Sequence, residues 1–144
     1  MKADATTETA VRAVLDKVAE AYGKRDITLL SSAFAPDPDV VMYGTGADEK
    51  RLGLGEIQAQ AERDWSQTDS AEVTYEWTSI SAAGPVAWAA ADASFRLKAD
   101  GQEMALPARI TFVLEHRGGQ WLIVQAHFSF PASGQSEGES FPAE

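Results

Sequence analysis

The sequence predicts an α+β fold, with helices in the first half of the chain and antiparallel strands in the second. Two observations predict it. As far as Trp65, apolar side chains recur three and four residues apart, the spacing of one helix face. From Glu72 onward they alternate with polar ones, and Gly-containing turn signals separate the runs. The 144 residues suffice for one domain with its own core. That domain is expected over residues 1–131, followed by a tail over residues 132–144.

In the first helix Val11, Val14, Leu15, Val18, Ala19 and Tyr22 form one apolar stripe. Thr6, Thr7 and Glu8 suit its start, and Gly23 suits its end. Asp26 stands where an N-cap belongs, ahead of Ile27, Leu30 and Phe34. Pro36 and Pro38 stop this second helix, and Asp37 and Asp39 read as solvated turn residues. A short strand over Val40–Tyr43 and another near Lys50–Leu52 make a hairpin. Gly53 and Gly55 open a third helix carrying Leu54, Ile57, Ala61 and Trp65 on one side.

Val73, Tyr75 and Trp77 alternate with Glu72, Thr74, Glu76 and Thr78, so the large side chains of this strand are expected to point inward. After Gly84-Pro85, the next strand sets Ala87, Ala89, Ala91, Ala93, Phe95 and Leu97 against Trp88, Asp92, Ser94 and Arg96. Such alanines either leave volume beneath a concave sheet or let another layer pack closely. Asp100-Gly101 signals a hairpin. The strand over Glu103–Glu115 contains Pro107, where a bulge or bend is expected. Gly118-Gly119 turns the chain into Trp121–Pro131, in which Gln125, His127 and Ser129 alternate with apolar residues. The Ser-, Gly-, Glu- and Pro-rich tail has the composition of a disordered segment.

Composition narrows the function. The net charge is −10 and the pI about 4.6, which opposes binding to nucleic acid or anionic membranes. The absence of cysteine removes disulfides, thiolate metal ligands and a Cys nucleophile. His116 and His127 are the only histidines and lie on two arms of one hairpin, so no metal site is expected. Neither Gly44-Thr-Gly46 nor Gly53-Leu-Gly55 completes a phosphate loop, and no cofactor is expected. With no apolar leader and no membrane-length run, a cytoplasmic location is the expectation.

Tyr22-Gly-Lys-Arg-Asp26, Gly53-Leu-Gly55, Arg109-Ile-Thr111 and Trp121-Leu-Ile-Val-Gln-Ala-His127-Phe-Ser129-Phe-Pro131 carry a resemblance over roughly residues 7–131. The chain resembles the SnoaL-like, DUF4440-type proteins of the nuclear transport factor 2-like (NTF2-like) superfamily. It departs at Gln125, where many relatives carry a histidine. The resemblance implies a cystatin-like, cone-shaped barrel: a curved antiparallel sheet wrapped around three helices, with a cavity between them and dimerisation through the sheet. The superfamily includes isomerases, cyclases, dehydratases and epoxide hydrolases, which place an Asp, His or Tyr in the cavity. It also includes the association domain of calmodulin-dependent kinase II, so the fold leaves function open.

Weighed singly, His127 is either a cavity acid or base, or a hydrogen-bonded histidine of core or interface. Asp92, on a central strand, is the carboxylate candidate for a base. Arg109 either grips a ligand carboxylate or pairs internally with Asp92 or Glu115. Tyr22, Phe34, Tyr43, Trp65, Tyr75, Trp77, Trp88 and Phe128 are candidate cavity aromatics, each set against plain core packing. At least two of Tyr22, Trp65, Trp77, Trp88 and His127 are expected to border one cavity. An unbroken hairpin about Gly118-Gly119 pairs Arg117 with Gln120, Ile110 with His127 and Arg109 with Phe128. Arg109 and His127 would then face opposite sides.

The leading expectation is a protein that binds a small, largely apolar molecule in an internal pocket and associates as a homodimer. The alternatives are an isomerase, cyclase or dehydratase acting on a small carbonyl compound, and a non-catalytic assembly module resembling the kinase II association domain.

Overall fold

Asp4 begins the first helix: its carboxylate accepts from the Thr7 N–H, filling one of the orphan donors of a helix N-terminus. In the computed structural model, which describes residues 1–143, this helix is α1 (Ala5–Lys24). Its stripe of Val11, Val14, Leu15, Val18 and Ala21 is buried and packs on the sheet. The helix runs one residue past Gly23, and Arg25 closes it in a left-handed conformation with φ 57°. Arg25 holds that geometry through bonds to the carbonyls of Trp65 and Thr68. Asp26 then caps α2 (Ile27–Ser32) by accepting from the Leu29 N–H, which accounts for its side chain as a cap. The short strands β1 (Val41–Tyr43) and β2 (Lys50–Leu52) lead into α3 (Gly53–Ser66).

Four long strands follow: β3 (Ser70–Ala83), β4 (Val86–Ala99), β5 (Gln102–Arg117) and β6 (Gln120–Ser129). Asp100 and Gly101 both take positive φ, as do Gly118 and Gly119, the geometry that matches the twist of two-residue hairpins. The curved sheet has the order β2-β1-β6-β5-β4-β3, with β1 parallel to β6 and every other pair antiparallel. It does not close on itself, and the helices occupy its concave side. Along the edge strand β3, Ala3 and Ala82 exchange backbone bonds with Ile80 and Met1.

The inner face is dry. Ala87, Ala89, Ala91 and Ala93 of β4, Ala108, Ile110, Phe112 and Leu114 of β5, and Ile123 and Ala126 of β6 are buried in one core. Two register shifts interrupt the alternation. One falls between Tyr75 and Trp77, where two residues of β3 span one step of β4. The other separates Val113 from Leu114, whose partners are Gln125 and Ile123, leaving Val124 as the extra residue of β6. Each shift reverses which face later residues occupy. No shift occurs at Pro107, which pairs with Ser94 where β5 has run beyond β6.

The tail follows Pro131, and its described residues, 132–143, are exposed, with backbone bonds such as Ala143 N–H to the Gly134 carbonyl formed within the segment. No helix among the described residues is long and apolar enough to cross a membrane. Asp37 is more than a solvated turn residue: Arg117 grips its two carboxylate oxygens at 2.8 and 2.6 Å, tying the loop after α2 to the β5–β6 hairpin.

Candidate functional site

Large apolar side chains on the concave sheet stand apart from the helices at one end of the molecule, leaving a cavity of about 670 Å³. That size lies within the roughly 300–1,000 Å³ typical of small-molecule sites. Phe95 and Leu97 of β4, Leu106 of β5, and Phe128 and Phe130 form the sheet side. Val18, Leu30, Phe34, Ile57 and Ala61 form the helix side. Thr45, Asp100, Gln102, Glu103 and Met104 are lining residues that are exposed, so the mouth lies between the β1–β2 loop and the β4–β5 turn.

One wall is polar, and α3 builds it. Gln60 and Asp64 lie one helical turn apart, beside Ile57 and Ala61, and so project with the apolar stripe into the interior. The Tyr22 hydroxyl donates to Asp64 Oδ2 at 2.8 Å, and Gln60 Nε2 donates to Asp64 Oδ1 at 2.7 Å. Gln60 Nε2 also reaches Glu49 Oε1 at 2.9 Å, while its carbonyl accepts from Arg51 Nε at 2.9 Å. Arg63 pairs with Glu49 at 2.9 Å and with Asp48 at 2.8 Å, holding the β1–β2 loop against α3. Burial raises the Asp64 carboxyl above its ordinary value against the pull of the Tyr22 and Gln60 donors; the Glu49 charge adds to the rise. Burial, and then the Asp64 charge, also raise the Tyr22 hydroxyl, so the shared proton stays on the phenol. Tyr22 is fixed from behind, since Trp65 Nε1 donates to its carbonyl at 3.1 Å and the two rings pack 6.0 Å apart.

Of the residues singled out in the sequence, Tyr22, Phe34, Tyr75 and Phe128 line this cavity. Tyr43, Trp65, Trp77, Trp88, Arg109 and His127 do not, and neither does Asp92. Trp65 is buried in the core behind Tyr22. The others lie on the convex face. Trp77 is turned outward by the β3 bulge and is 55% exposed, and Trp88 is 38% exposed. The Val124 bulge pairs His127 with Thr111 and Arg109 with Ser129, so Arg109 and His127 share the outer face. His127 is exposed and packs on Tyr43, its neighbour across β1, with ring centroids 5.2 Å apart. Asp92 is exposed opposite Arg109, yet no salt bridge joins them among the described residues. Arg109 instead approaches the Phe130 carbonyl at 3.4 Å, and Glu115 pairs with Arg117. Of the five residues expected to share one cavity, only Tyr22 borders it. The four alanines of β4 do not line it either, so they serve close packing, not volume.

Asp64, Gln60 and Glu49 were not apparent from residue type. For Gln60 and Asp64 a signal exists: they fall at the apolar spacing of Ile57, Ala61 and Trp65, where a polar residue must point inward.

An α+β cone with a helix-walled cavity is the architecture of NTF2-like proteins. The sequence model of the SnoaL-like domain matches residues 11–133, and the chain belongs to the SnoaL-like domain family. The same fold recurs in an NTF2-like superfamily protein from Salmonella enterica serovar Typhimurium, with TM-score 0.84 and 21% identity over 96% of this chain and all (100%) of that one. A proposed dehydratase of the NTF2-like family from Streptomyces avermitilis gives TM-score 0.82 and 17% identity, covering 90% of this chain and 100% of that one. A proposed calcium/calmodulin-dependent protein kinase II association domain from Xanthomonas campestris gives 0.75 and 25%, with 85% and 86% covered. No curated protein matches the sequence.

Proposed function

We propose that the protein binds a small, largely apolar molecule in the cavity and presents the molecule's polar end to Asp64. The single observation that carries this reading is the largely apolar cavity of about 670 Å³, open at one end, with one hydrogen-bonded polar cluster on its wall. Native mass spectrometry of the purified protein tests it. A bound mass lost on Phe128→Trp, which fills the cavity, is the expected result. A bound mass that survives this substitution would place the ligand elsewhere.

The Tyr22–Asp64 contact favours a second reading, proton transfer on a small carbonyl compound as in an isomerase, cyclase or dehydratase. A partly buried carboxyl whose pKa burial raises, hydrogen-bonded to a phenol, suits general acid–base chemistry of that kind. The likeness to the proposed dehydratase from Streptomyces avermitilis supports it at the level of fold. Asp64→Asn should then abolish turnover of any substrate that is found, while Tyr22→Phe should lower kcat with little change in KM.

The convex face supports a homodimer. Trp77, Trp88, Val86 and Tyr43 are exposed there, around an Asp92–Arg109 pair that a second copy can bridge reciprocally. Sedimentation at micromolar concentration showing only a 15.5 kDa species would refute it. A lack of nucleic-acid and anionic-membrane partners completes the proposal, on the strength of the charge of −10.

A further inference from the structure

The charges on the cavity wall have one sign. Glu49, Asp64, Asp100 and Glu103 line it, and no lysine, arginine or histidine does. These four carboxylates differ in how they are compensated. Asp100 and Glu103 are exposed at the mouth, where water screens them. Glu49 is half-buried and paired with Arg63. Asp64 is half-buried and has no ion pair among the described residues; its two oxygens accept only from the neutral donors Tyr22 and Gln60. A carboxylate offers about four lone-pair positions, so about two on Asp64 remain for a ligand. A carboxylate withdrawn from water without a cation is costly, and a cation supplied by the ligand removes that cost.

We infer that the natural ligand is an amine: an apolar body carrying a protonated nitrogen that becomes the counter-ion of Asp64. This rests on the cavity-binding reading and adds the charge of the ligand to it. The surroundings of Asp64 agree. The Tyr22 and Phe95 rings stand edge to face with centroids 6.4 Å apart beside the polar wall, and aromatic faces attract ammonium groups. A ligand carboxylate would meet the Asp64 charge with no arginine or lysine on the wall to receive it. Arg51 and Arg63 are already occupied by Gln60, Glu49 and Asp48.

Three probes of one shape separate the possibilities: phenylbutylamine, phenylbutanol and phenylbutyric acid. Each is titrated calorimetrically into the full chain at a pH where the amine is protonated and the acid ionised. The amine should bind about tenfold more tightly than the alcohol, the value of one charge-assisted contact, and the acid most weakly. Asp64→Asn should bring the amine down to the alcohol's affinity and leave the alcohol's affinity within about threefold, because the asparagine carbonyl can still accept the alcohol's O–H. Glu49→Gln, which removes a carboxylate already paired, should preserve the preference for the amine; melting curves report whether each variant is folded. Equal or tighter binding of the alcohol or the acid by the native chain overturns the inference and leaves the cavity reading standing. Failure of all three probes to bind overturns the cavity reading, and the inference with it. A preference for the amine that persists in a folded Asp64→Asn protein overturns the role of Asp64.

Discussion

The two faces of the sheet are built from the same strands and do opposite things. The buried part of the concave face is apolar along β4, β5 and β6, and the hydrogen-bonded polar cluster of the cavity reaches it from α1, α3 and the β1–β2 loop, with Asp100, Gln102 and Glu103 at the mouth. The convex face carries Asp92, Arg109, His127 and two tryptophans, the residue types that look most like chemistry. A histidine or arginine on a strand is cheap to keep when it points outward and costly when it points inward. The comparison teaches that a polar residue alternating with apolar ones marks the wet side of a strand. On a helix, by contrast, a polar residue within the apolar stripe marks the dry side.

The largest test of that contrast removes one side chain from each face. Phe112→Ala, at a site 1% exposed, should cost about 3–5 kcal/mol in chemical denaturation, from lost burial and the cavity left behind. His127→Ala should fall within about 0.5 kcal/mol of the native chain. Equal losses would mean that the dimer proposed for the convex face extends over His127 and buries its side chain. A paired Trp77→Glu and Trp88→Glu change sharpens that point. It should convert a dimer to monomer in sedimentation while leaving the helical circular dichroism intact.

Tyr22→Phe should cost about 0.5–1.5 kcal/mol, the weight of the hydrogen bond it gives Asp64, read from the denaturation midpoint. Two carboxylates should respond to pH with opposite signs. Asp64 is raised above 3.8 in the folded state, so its stabilising contribution is complete below that value and is lost as the pH rises through the folded-state pKa. Asp37 is lowered below 3.8 by the hydrogen bond from Arg117, so its contribution is present above that value and is lost as the pH falls through its folded pKa. Carboxyl-carbon NMR titration should place the two midpoints on either side of 3.8. The smallest effect should come from the tail. Deleting the chain beyond residue 132 should leave the melting temperature nearly unchanged, because its one large apolar side chain, Phe141, is 81% exposed.

Much of the architecture was legible in the sequence because it is local. The stripe of Val11, Val14, Leu15 and Val18, the Asp26 cap and the two hairpin turns each depend on a few adjacent residues, and each appears where expected. The parallel pairing of β1 with β6 was not legible, since it joins segments about 80 residues apart and rests on tertiary packing. The site was less legible than the fold. Tyr22 follows from helix periodicity, whereas Phe34 does not: α2 ends at Ser32, short of Pro36, and Phe34 reaches the cavity from an extended bridge to Ile123. For Trp77 and His127 a bulge reverses the alternation upstream of each. Glu49 sits on a loop whose approach to Gln60 no periodicity encodes.

The extra residues near Trp77 and at Val124 act as parity switches. Removing one would exchange inside for outside along the rest of its strand, without altering a single side chain that remains. Within a lineage, a one-codon deletion at either place could move an indole or an imidazole between the convex surface and the concave interior. Comparisons of relatives by aligned residue type alone would miss such a transfer, because the same letter in the same column would face two different worlds.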